Sequence, residues 1–440
     1  MKNKMRLIIF ITLFANLCCN GVSAQEIKQI TLQDAIEVSI KNSKNLKLFN
    51  AKIDEATAVV KEAHNNQLPD FKVSGSYLRL SSANVDLKTR KDSTGNTGST
   101  PKVSSAAYGI ANLSLPLFAG GRIRYGIESS KYLVKAAALD ADNYKEEIIF
   151  NTTNAYINLY KASAVVNIVK ENLNSSLSRD TNFSNLEKNG LLARNDLLKS
   201  QLQTSNIELS LLDAENILNL ANVNMNLMLG LPENTTLQID SSFINTTQQI
   251  KAFADYEMLA LQNRKDMQAL GFRKKAAATG IKSARAEAYP TLALTGGYIA
   301  AYIPHFVTIT NAVNIGLGVQ YNLASLWKIN TKLQQAQARE IQVAASEEIL
   351  NDAIRLQINK DYQNYILSQK KIDVYEKASL QAAENYRITN NKYNNSLVTI
   401  TDLLEADVAL LQTKLNISFA KADAVLAYNK LLQTAGLLSK

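Results

Sequence analysis

The amino-acid sequence repeats itself once along its 440 residues. Three residues recur with a constant offset of 221 positions: Pro69, Gly75 and Tyr77 return as Pro290, Gly296 and Tyr298. Further along, five residues recur with an offset of 206: Asn189, Asp196, Leu197, Leu198 and Gly230 return as Asn395, Asp402, Leu403, Leu404 and Gly436. Solenoid and propeller repeats have periods of roughly 20–50 residues. A far longer repeat predicts two similar structural halves, which we place at 25–231 and 256–440.

The first residues predict export from the cytoplasm. A basic start at 2–6, an apolar run at 7–17 and a small-residue site at 22–24 follow one another in the order of a secretory leader. We therefore expect residues 1–24 to be a signal peptide that is cleaved after Ala24.

Composition and charge exclude several classes of function. Both cysteines, Cys18 and Cys19, lie in the predicted leader. One of them could carry a lipid; otherwise the mature chain has no thiol for a disulfide, a metal site or a nucleophile. The 48 Lys and Arg are interspersed with 39 Asp and Glu, which gives no basis for nucleic-acid binding. Without catalytic or metal-type clusters in the sequence, we predict neither an enzyme nor a cofactor nor a metal site.

Proline-free stretches predict very long helices. Proline is absent from 117–231 and 305–440, which are rich in Ala, Leu, Lys, Gln and Asn. In 397–435 apolar residues recur in steps of three, four and seven, which is typical of a narrow coiled-coil stripe. Helices of this kind pack lengthwise against neighbours. We therefore predict long helical hairpins at 119–229 and 325–437.

Alternating side chains predict strands ahead of each helical hairpin. In 313–323 every second residue is apolar or aromatic, and the residues between are Asn, Gly or Gln. Related alternation predicts strand hairpins at 70–117 and 291–323. Segments of about 10–12 residues can cross a bilayer at a tilt. The alternative is a half-buried sheet of a soluble protein, which alternates as well.

Four strands are too few to close a membrane barrel, because the smallest single-chain barrels have about eight. An open sheet edge is not tolerated in lipid. If the strands cross a membrane, the chain must therefore oligomerise. Two, three and four copies are all compatible with this argument, which does not choose among them.

Several segments, taken in order, resemble TolC-type outer-membrane efflux proteins. They are the strand-to-helix motif at 113–122, the segments 226–232, 263–267 and 281–290, and the tip turns near Gly190 and Ser396. The resemblance covers essentially all of the mature chain. It implies a mostly α fold with transmembrane β strands. Long helical hairpins form an α-barrel across the periplasm, a mixed equatorial region lies at 232–255, and four strands per chain contribute to a trimeric twelve-stranded membrane barrel.

The resemblance also implies a function and partners. The homotrimer would be the passive outer-membrane channel of a tripartite export or efflux system, extending into the periplasm. It would dock onto a periplasmic adaptor, or membrane fusion, protein linked to an inner-membrane transporter of RND or ABC type. The residues expected to dock are Gly190, Leu191, Ser396 and Leu397. The alternative is a periplasmic or surface-anchored coiled-coil protein with a structural or adhesive role, against which the alternating strands argue.

Four residues match the family's pore-constriction positions: Asp402, Glu405, Asp196 and Tyr393. Asp402 and Glu405 are three apart on a predicted helix and so face the same way. Repeated around a narrow opening, their carboxylates would favour cations. Asp196 and Asp402 could instead stabilise helix starts, and both roles can coexist. At one position the chain departs from the family: Val398 stands where the family has a gate Arg.

Four aromatic residues near the strand ends suit the boundary between lipid and water. They are Phe118, Tyr289, Tyr321 and Trp327. For Trp327, a buried packing role is the alternative.

Overall fold

The computed structural model describes residues 27–83, 103–245, 250–304 and 306–438. The predicted signal peptide lies outside these residues. The strands are β1 (Ile27–Ile30), β2 (Asp70–Ala83), β3 (Val103–Phe118), β4 (Thr236–Ile239), β5 (Thr291–Ile303) and β6 (Val307–Gln320). The helices are α1 (Leu32–Asn42), α2 (Lys44–Asn65), α3 (Arg122–Lys188), α4 (Arg194–Leu229), α5 (Phe253–Asn263), α6 (Lys265–Ala286), α7 (Ser325–Asn394) and α8 (Ile400–Thr434). None of these helices is long and apolar enough to cross a bilayer.

Two pairs of long helices dominate the described chain. Helices α3 and α4 have 67 and 36 residues, and α7 and α8 have 70 and 35. Each pair is joined by a short turn, which we call tip 1 (189–193) and tip 2 (395–399). The prediction that the proline-free stretches form long helical hairpins is confirmed.

The described residues form two compact units. The sheet unit comprises the described parts of 49–140 and 266–350, and the tip unit comprises the described parts of 1–48, 141–265 and 351–440. Each unit combines segments from both halves of the sequence repeat. Strands β2, β3, β5 and β6 belong to the sheet unit, and both tips belong to the tip unit.

The sheet unit contains one four-stranded antiparallel sheet in the order β2-β3-β5-β6. Its register aligns the alternating residues into rows across all four strands. One row reads Val73, Ala111, Tyr298, Val313, and the adjacent row on the other face reads Lys72, Asn112, Gly297, Asn314. Because paired residues share a face, one face of the sheet is largely apolar. The other face is polar or small near the row of Lys72, and it carries apolar residues such as Ile110 and Ile299 farther along the strands. The four strands that alternation predicts are present.

A β-bulge near the end of β3 corrects the predicted alternation. The register shifts between Pro116 and Phe118, so Phe118 rather than Leu117 pairs with Leu292. A bulge places one extra residue in one strand. Proline lacks the N–H that a regular ladder needs and is therefore found at such irregular positions. As a result, Phe118 occupies the place in the apolar row that strict alternation gives to Leu117.

Two glycines make the turn from β3 into α3, as the sequence predicts. Gly120 and Gly121 have φ of 62° and 88°. A Cβ on Gly120 would lie 2.5 Å from the carbonyl oxygen of Ala286 and 2.8 Å from Cβ of Tyr289. The chain therefore requires glycine at this position, both for the left-handed backbone and for close packing against the end of α6.

A buried core in the tip unit surrounds the short parallel pair β1–β4. Tyr156 of α3 is fully buried there beside Met225 and Leu229 of α4. Its hydroxyl lies 2.9 Å from the carbonyl oxygen of Ile30 and accepts a hydrogen bond from Asp240 N–H at 3.1 Å. Burial raises the pKa of this phenol to about 12. A neutral Tyr156 thus joins the two strands to the helices at every physiological pH.

Candidate functional site

The two tips have the same backbone geometry despite different residues. At tip 1, Gly190 has φ of 74°, and Leu191 N–H bonds to the carbonyl of Leu186 at 2.8 Å. At tip 2, Ser396 has φ of 60°, and Leu397 N–H bonds to the carbonyl of Lys392 at 2.9 Å. Both are Schellman-type helix ends, which normally use glycine at the left-handed position. Ser396 therefore holds a strained conformation for a residue with a side chain.

Both tips present a leucine to solvent. The exposed fractions of Leu191 and Leu397 are 74% and 72%. The Schellman turn places each leucine directly after the left-handed residue, outside the helix that has just ended. Two of the four residues predicted to dock an adaptor, Leu191 and Leu397, therefore form equivalent apolar projections.

The helices that leave the tips begin differently. Helix α8 begins with a capping box in which Thr399 and Asp402 bond each other's backbone N–H groups. Oδ2 of Asp402 accepts bonds from Thr399 N–H at 2.8 Å and from the Thr399 hydroxyl at 2.7 Å. Helix α4 has Ala193 at the N-cap position, and Asp196 lies in its first turn, 3.8 Å from Nζ of Lys199.

These bonds favour the ionised form of the Asp402 carboxyl group. The hydroxyl of Thr399, and then its backbone N–H, hold the pKa of the Asp402 carboxyl below its usual value. Asp402 and Glu405 are both exposed, whereas Leu403 and Ala406 beside them are buried. The predicted pair of acids therefore shares one exposed face of α8, and the alternative role of Asp402 at the helix start is also observed.

Asp196 and Tyr393 lie together in a cleft between the tips. The cleft has a volume of about 1170 Å³ and is lined by residues of all four long helices, including Phe183 and Leu403. The Tyr393 ring packs on Phe183, with ring centroids 5.5 Å apart. Burial, and then the charge of Asp196, raise the pKa of Tyr393. The structure thus separates the predicted constriction residues into a cleft pair and an exposed acidic pair.

An ion pair borders this cleft and was not predicted from the sequence. Arg179 of α3 and Asp407 of α8 contact each other, with Nη1 and Oδ2 2.9 Å apart, and their side chains are 9% and 8% exposed. The sequence feature that could have revealed the burial of Asp407 is its spacing from apolar residues. Asp407 follows Leu403 by four residues and Ile400 by seven, so it continues a buried stripe in which a charge is unusual.

The four aromatic residues predicted for the membrane boundary are exposed: Phe118, Tyr289, Tyr321 and Trp327. The register places Phe118 opposite Leu292 and Thr291 opposite Gln320. Tyr289 precedes β5 by two residues, and Tyr321 directly follows β6. These three aromatic residues therefore flank the same end of the sheet. Trp327, at the start of α7, is 66% exposed within a single chain.

No cluster of three or more His, Cys, Asp or Glu side chains suited to a metal ion occurs among residues 27–83, 103–245, 250–304 and 306–438.

Comparisons with known proteins agree with this architecture. The model of the family "Outer membrane efflux protein" matches residues 35–231 and 258–437. The chain is 23% identical over 431 residues to toxin and drug export protein A of Aggregatibacter actinomycetemcomitans, covering 91% of this chain and 85% of that protein. It is 24% identical over 419 residues to the cation efflux system protein CusC of Escherichia coli (strain K12), covering 88% and 82%. The structure of the outer membrane protein VceC from Vibrio cholerae has a TM-score of 0.75 at 18% identity, covering 92% and 96%.

Long helical hairpins together with a four-stranded sheet are the architecture of outer-membrane channel proteins that extend into the periplasm. The family match includes both halves of the repeat, and the chain belongs to the outer membrane efflux protein family. Membership in this family favours an export channel over the alternative of a coiled-coil structural or adhesive protein.

Proposed function

We propose that three copies of this chain form a passive duct through the outer membrane, the exit conduit of a tripartite export system. The observation that carries the proposal is the sheet. It has one apolar face and two long edge strands, β2 and β6. Unpaired strand edges are not stable in lipid, and closing them requires further copies of the sheet. Three copies give a twelve-stranded barrel, a size within the usual range for outer-membrane proteins.

The long helices support the same assembly. Helices α4 and α7 expose large apolar side chains along their length within one chain. On α4 these are Leu198, Leu202, Leu209, Leu212, Ile217, Leu220 and Leu227; on α7 they include Ile349, Leu356, Leu367, Val374 and Leu380. Continuous apolar stripes of this kind mark helix–helix interfaces. In the proposed trimer, each chain covers the stripes of its neighbours, which closes the helices into a tube.

The tips are the proposed pore constriction and docking surface. Three copies of Asp402 and Glu405 would surround the opening with carboxylates and favour cations. Asp196 and Tyr393 would line the adjoining cleft. The leucines at 191 and 397 would contact a periplasmic adaptor linked to an inner-membrane pump of RND or ABC type. The relatives' names point to toxins, drugs or cations as cargo classes, and the pump would select among them.

Reconstitution of the mature protein in a planar lipid bilayer tests the duct. We expect discrete single-channel conductance steps and extraction from membranes by detergent but not by salt. Release by salt together with an absence of conductance would instead support the coiled-coil alternative.

The acidic ring is tested in the same bilayer. Asp402→Asn with Glu405→Gln should reduce the preference for cations, because six carboxylates would be neutralised without loss of volume. Glu384→Gln is the matched control, since Glu384 is an exposed acid on α7 that pairs with Arg387 on its own helix. Unchanged selectivity in the double variant would show that these acids do not face the opening, even where the duct itself conducts.

A further inference from the structure

A buried polar layer crosses the tip unit next to its apolar cluster. Its centre is the ion pair between Arg179 of α3 and Asp407 of α8. The second carboxylate oxygen of Asp407 accepts a bond from Asn172 of α3 at 3.2 Å. Nη2 of Arg179 donates to the hydroxyl of Ser176 at 3.1 Å. Asp407 thus bonds two side chains of α3, which join the second helical hairpin to the first.

The layer continues into helix α4. The hydroxyls of Ser176 and Thr204 are hydrogen-bonded to each other, and both hydroxyl-bearing residues are buried. Asp180 of α3 accepts a bond from Thr204 at 2.6 Å and another from Ser200. Side chains of three helices are therefore connected in one network. On the fourth helix, α7, Tyr386 lines the same cleft as Arg179. Burial, and then the charge of Asp407, raise the pKa of this phenol.

Apolar residues surround the layer. Toward the tips lie Phe183, Leu197, Ile400 and Leu403, which form one buried cluster. On the other side, Ile207 and Ala214 of α4 are buried, as are Ala420 and Ala424 of α8. Contacts among leucine, isoleucine and alanine are non-directional, and a shift by one helical repeat replaces one such contact with another.

The polar layer does not tolerate such a shift. A displaced Arg179 or Asp407 would be buried without its partner, which is strongly unfavourable. A buried ion pair is weak evidence for stability, since apolar residues of similar volume often serve as well or better. Its best-attested role in helical assemblies is to specify register.

We propose that the Arg179–Asp407 layer fixes the axial register of the second helical hairpin against the first. The layer thereby holds tip 1 and tip 2 at a fixed relative height. Arg179 and Asp407 act as positioning residues for both tips. This inference concerns a single chain and does not depend on the proposed conduction or docking.

A cross-linking experiment in the full-length protein in membranes tests the register. Lys161 of α3 and Asp423 of α8 form an ion pair farther from the tips, and their cysteine variants define the native pair. Lys161→Cys combined with Asn416→Cys or with Lys430→Cys defines the displaced pairs. Each of these would form only if α8 were shifted by seven residues along α3. A short bifunctional thiol reagent and mass spectrometry of the linked peptides report which pair forms within a chain.

With the layer intact, we expect only the Lys161→Cys/Asp423→Cys product. Replacement of the layer by Arg179→Met with Asp407→Leu should yield a displaced product as well, while the thermal midpoint stays equal or rises. The matched control is Ile400→Met with Leu403→Met, which alters packing but retains the ion pair and should give the native product alone.

The proposal is overturned if the apolar replacement gives only the native product, whatever happens to the thermal midpoint. A fall in the midpoint with an unchanged cross-link would assign the layer a purely structural role. Arg179→Gln with Asp407→Asn, which removes both charges and roughly keeps the volume, is the second variant should the apolar replacement fail to reach the membrane. A displaced product is expected there too, and its absence equally overturns the proposal.

Discussion

At the scale of single residues, the two tips differ in how much backbone strain they store. Both left-handed positions have φ near +60 to +75°, but tip 1 uses Gly190 and tip 2 uses Ser396. A side chain in this conformation crowds the following carbonyl. The duplicated unit is therefore more strained at its second tip, where the capping box at Thr399 and Asp402 begins the next helix.

Exchange of these two residues should change local stability in opposite directions. Ser396→Gly relieves the strain, partly offset by the greater flexibility of glycine in the unfolded state, for a net gain of roughly 0.5 kcal/mol. Amide hydrogen exchange of peptides from tip 2 should slow about twofold, since that free energy corresponds to about that factor in the opening equilibrium. Gly190→Ser should accelerate exchange at tip 1. Faster exchange in Ser396→Gly would contradict the assignment of strain.

The hydrogen bonds from Thr399 should set the acid limit of any function that needs the charge of Asp402. The pKa of Asp402 in the folded chain lies below the usual value for an aspartate side chain, so the capping box stabilises the fold at pH values above that usual pKa. The stabilisation is lost as the pH falls through the lowered value. Thr399→Val removes the hydroxyl bond, which is the larger cause of the shift, and keeps the backbone N–H bond. The pKa of Asp402 should therefore rise toward its usual value. In bilayer recordings, cation preference should therefore fall at a higher pH than in the natural protein.

Thr401→Val is the control for this titration, because Thr401 is also exposed at the start of α8 but makes no part of the capping box. Its selectivity should follow the pH profile of the natural protein. Identical profiles for Thr399→Val and the natural protein would place Asp402 outside the ion path.

At the scale of elements, the turn from β3 into α3 depends on one residue. Gly120→Ala would bring a Cβ to 2.5 Å from a backbone oxygen of Ala286. We expect little or no folded protein in the outer-membrane fraction, because neither the backbone nor α6 can move away cheaply. Gly126→Ala is the matched control six residues later. A Cβ there meets nothing within 4 Å, and alanine favours a helix by about 1 kcal/mol over glycine.

Most elements could be predicted because their patterns are local. Alternation predicts the strands, and the absence of proline predicts the long helices. Strict alternation fails at Phe118 because Pro116 disturbs the ladder, and a bulge depends on how two strands pair. The site is harder to predict. The spacing marks Asp407 as a charge in an apolar stripe but does not identify its partner. The pairing of Asp407 with Arg179 depends on packing between residues more than two hundred positions apart.

At the scale of the whole molecule, the two sheet edges determine how copies can associate. Strands β2 and β6 are the outer strands of the sheet, and their apolar side chains are among the most exposed of the chain. Val73 is 72% exposed and Ile315 is 81% exposed. In the proposed trimer each β2 pairs with the β6 of a neighbour, so that no edge remains in lipid.

Cysteine cross-linking between these edges should therefore produce a closed set of products. Val73→Cys on β2 is combined in turn with cysteine at Val313, Ile315, Leu317 or Val319 of β6, all of which lie on the apolar face. Oxidation in intact membranes should give dimers and trimers at the best-matched register and nothing larger, because three copies close the ring. Ala111→Cys on the inner strand β3 should give no product between chains with the same β6 variants. Products that extend beyond three chains would indicate an open assembly, and the lipid argument against free edges would then require another element to cover β2 and β6.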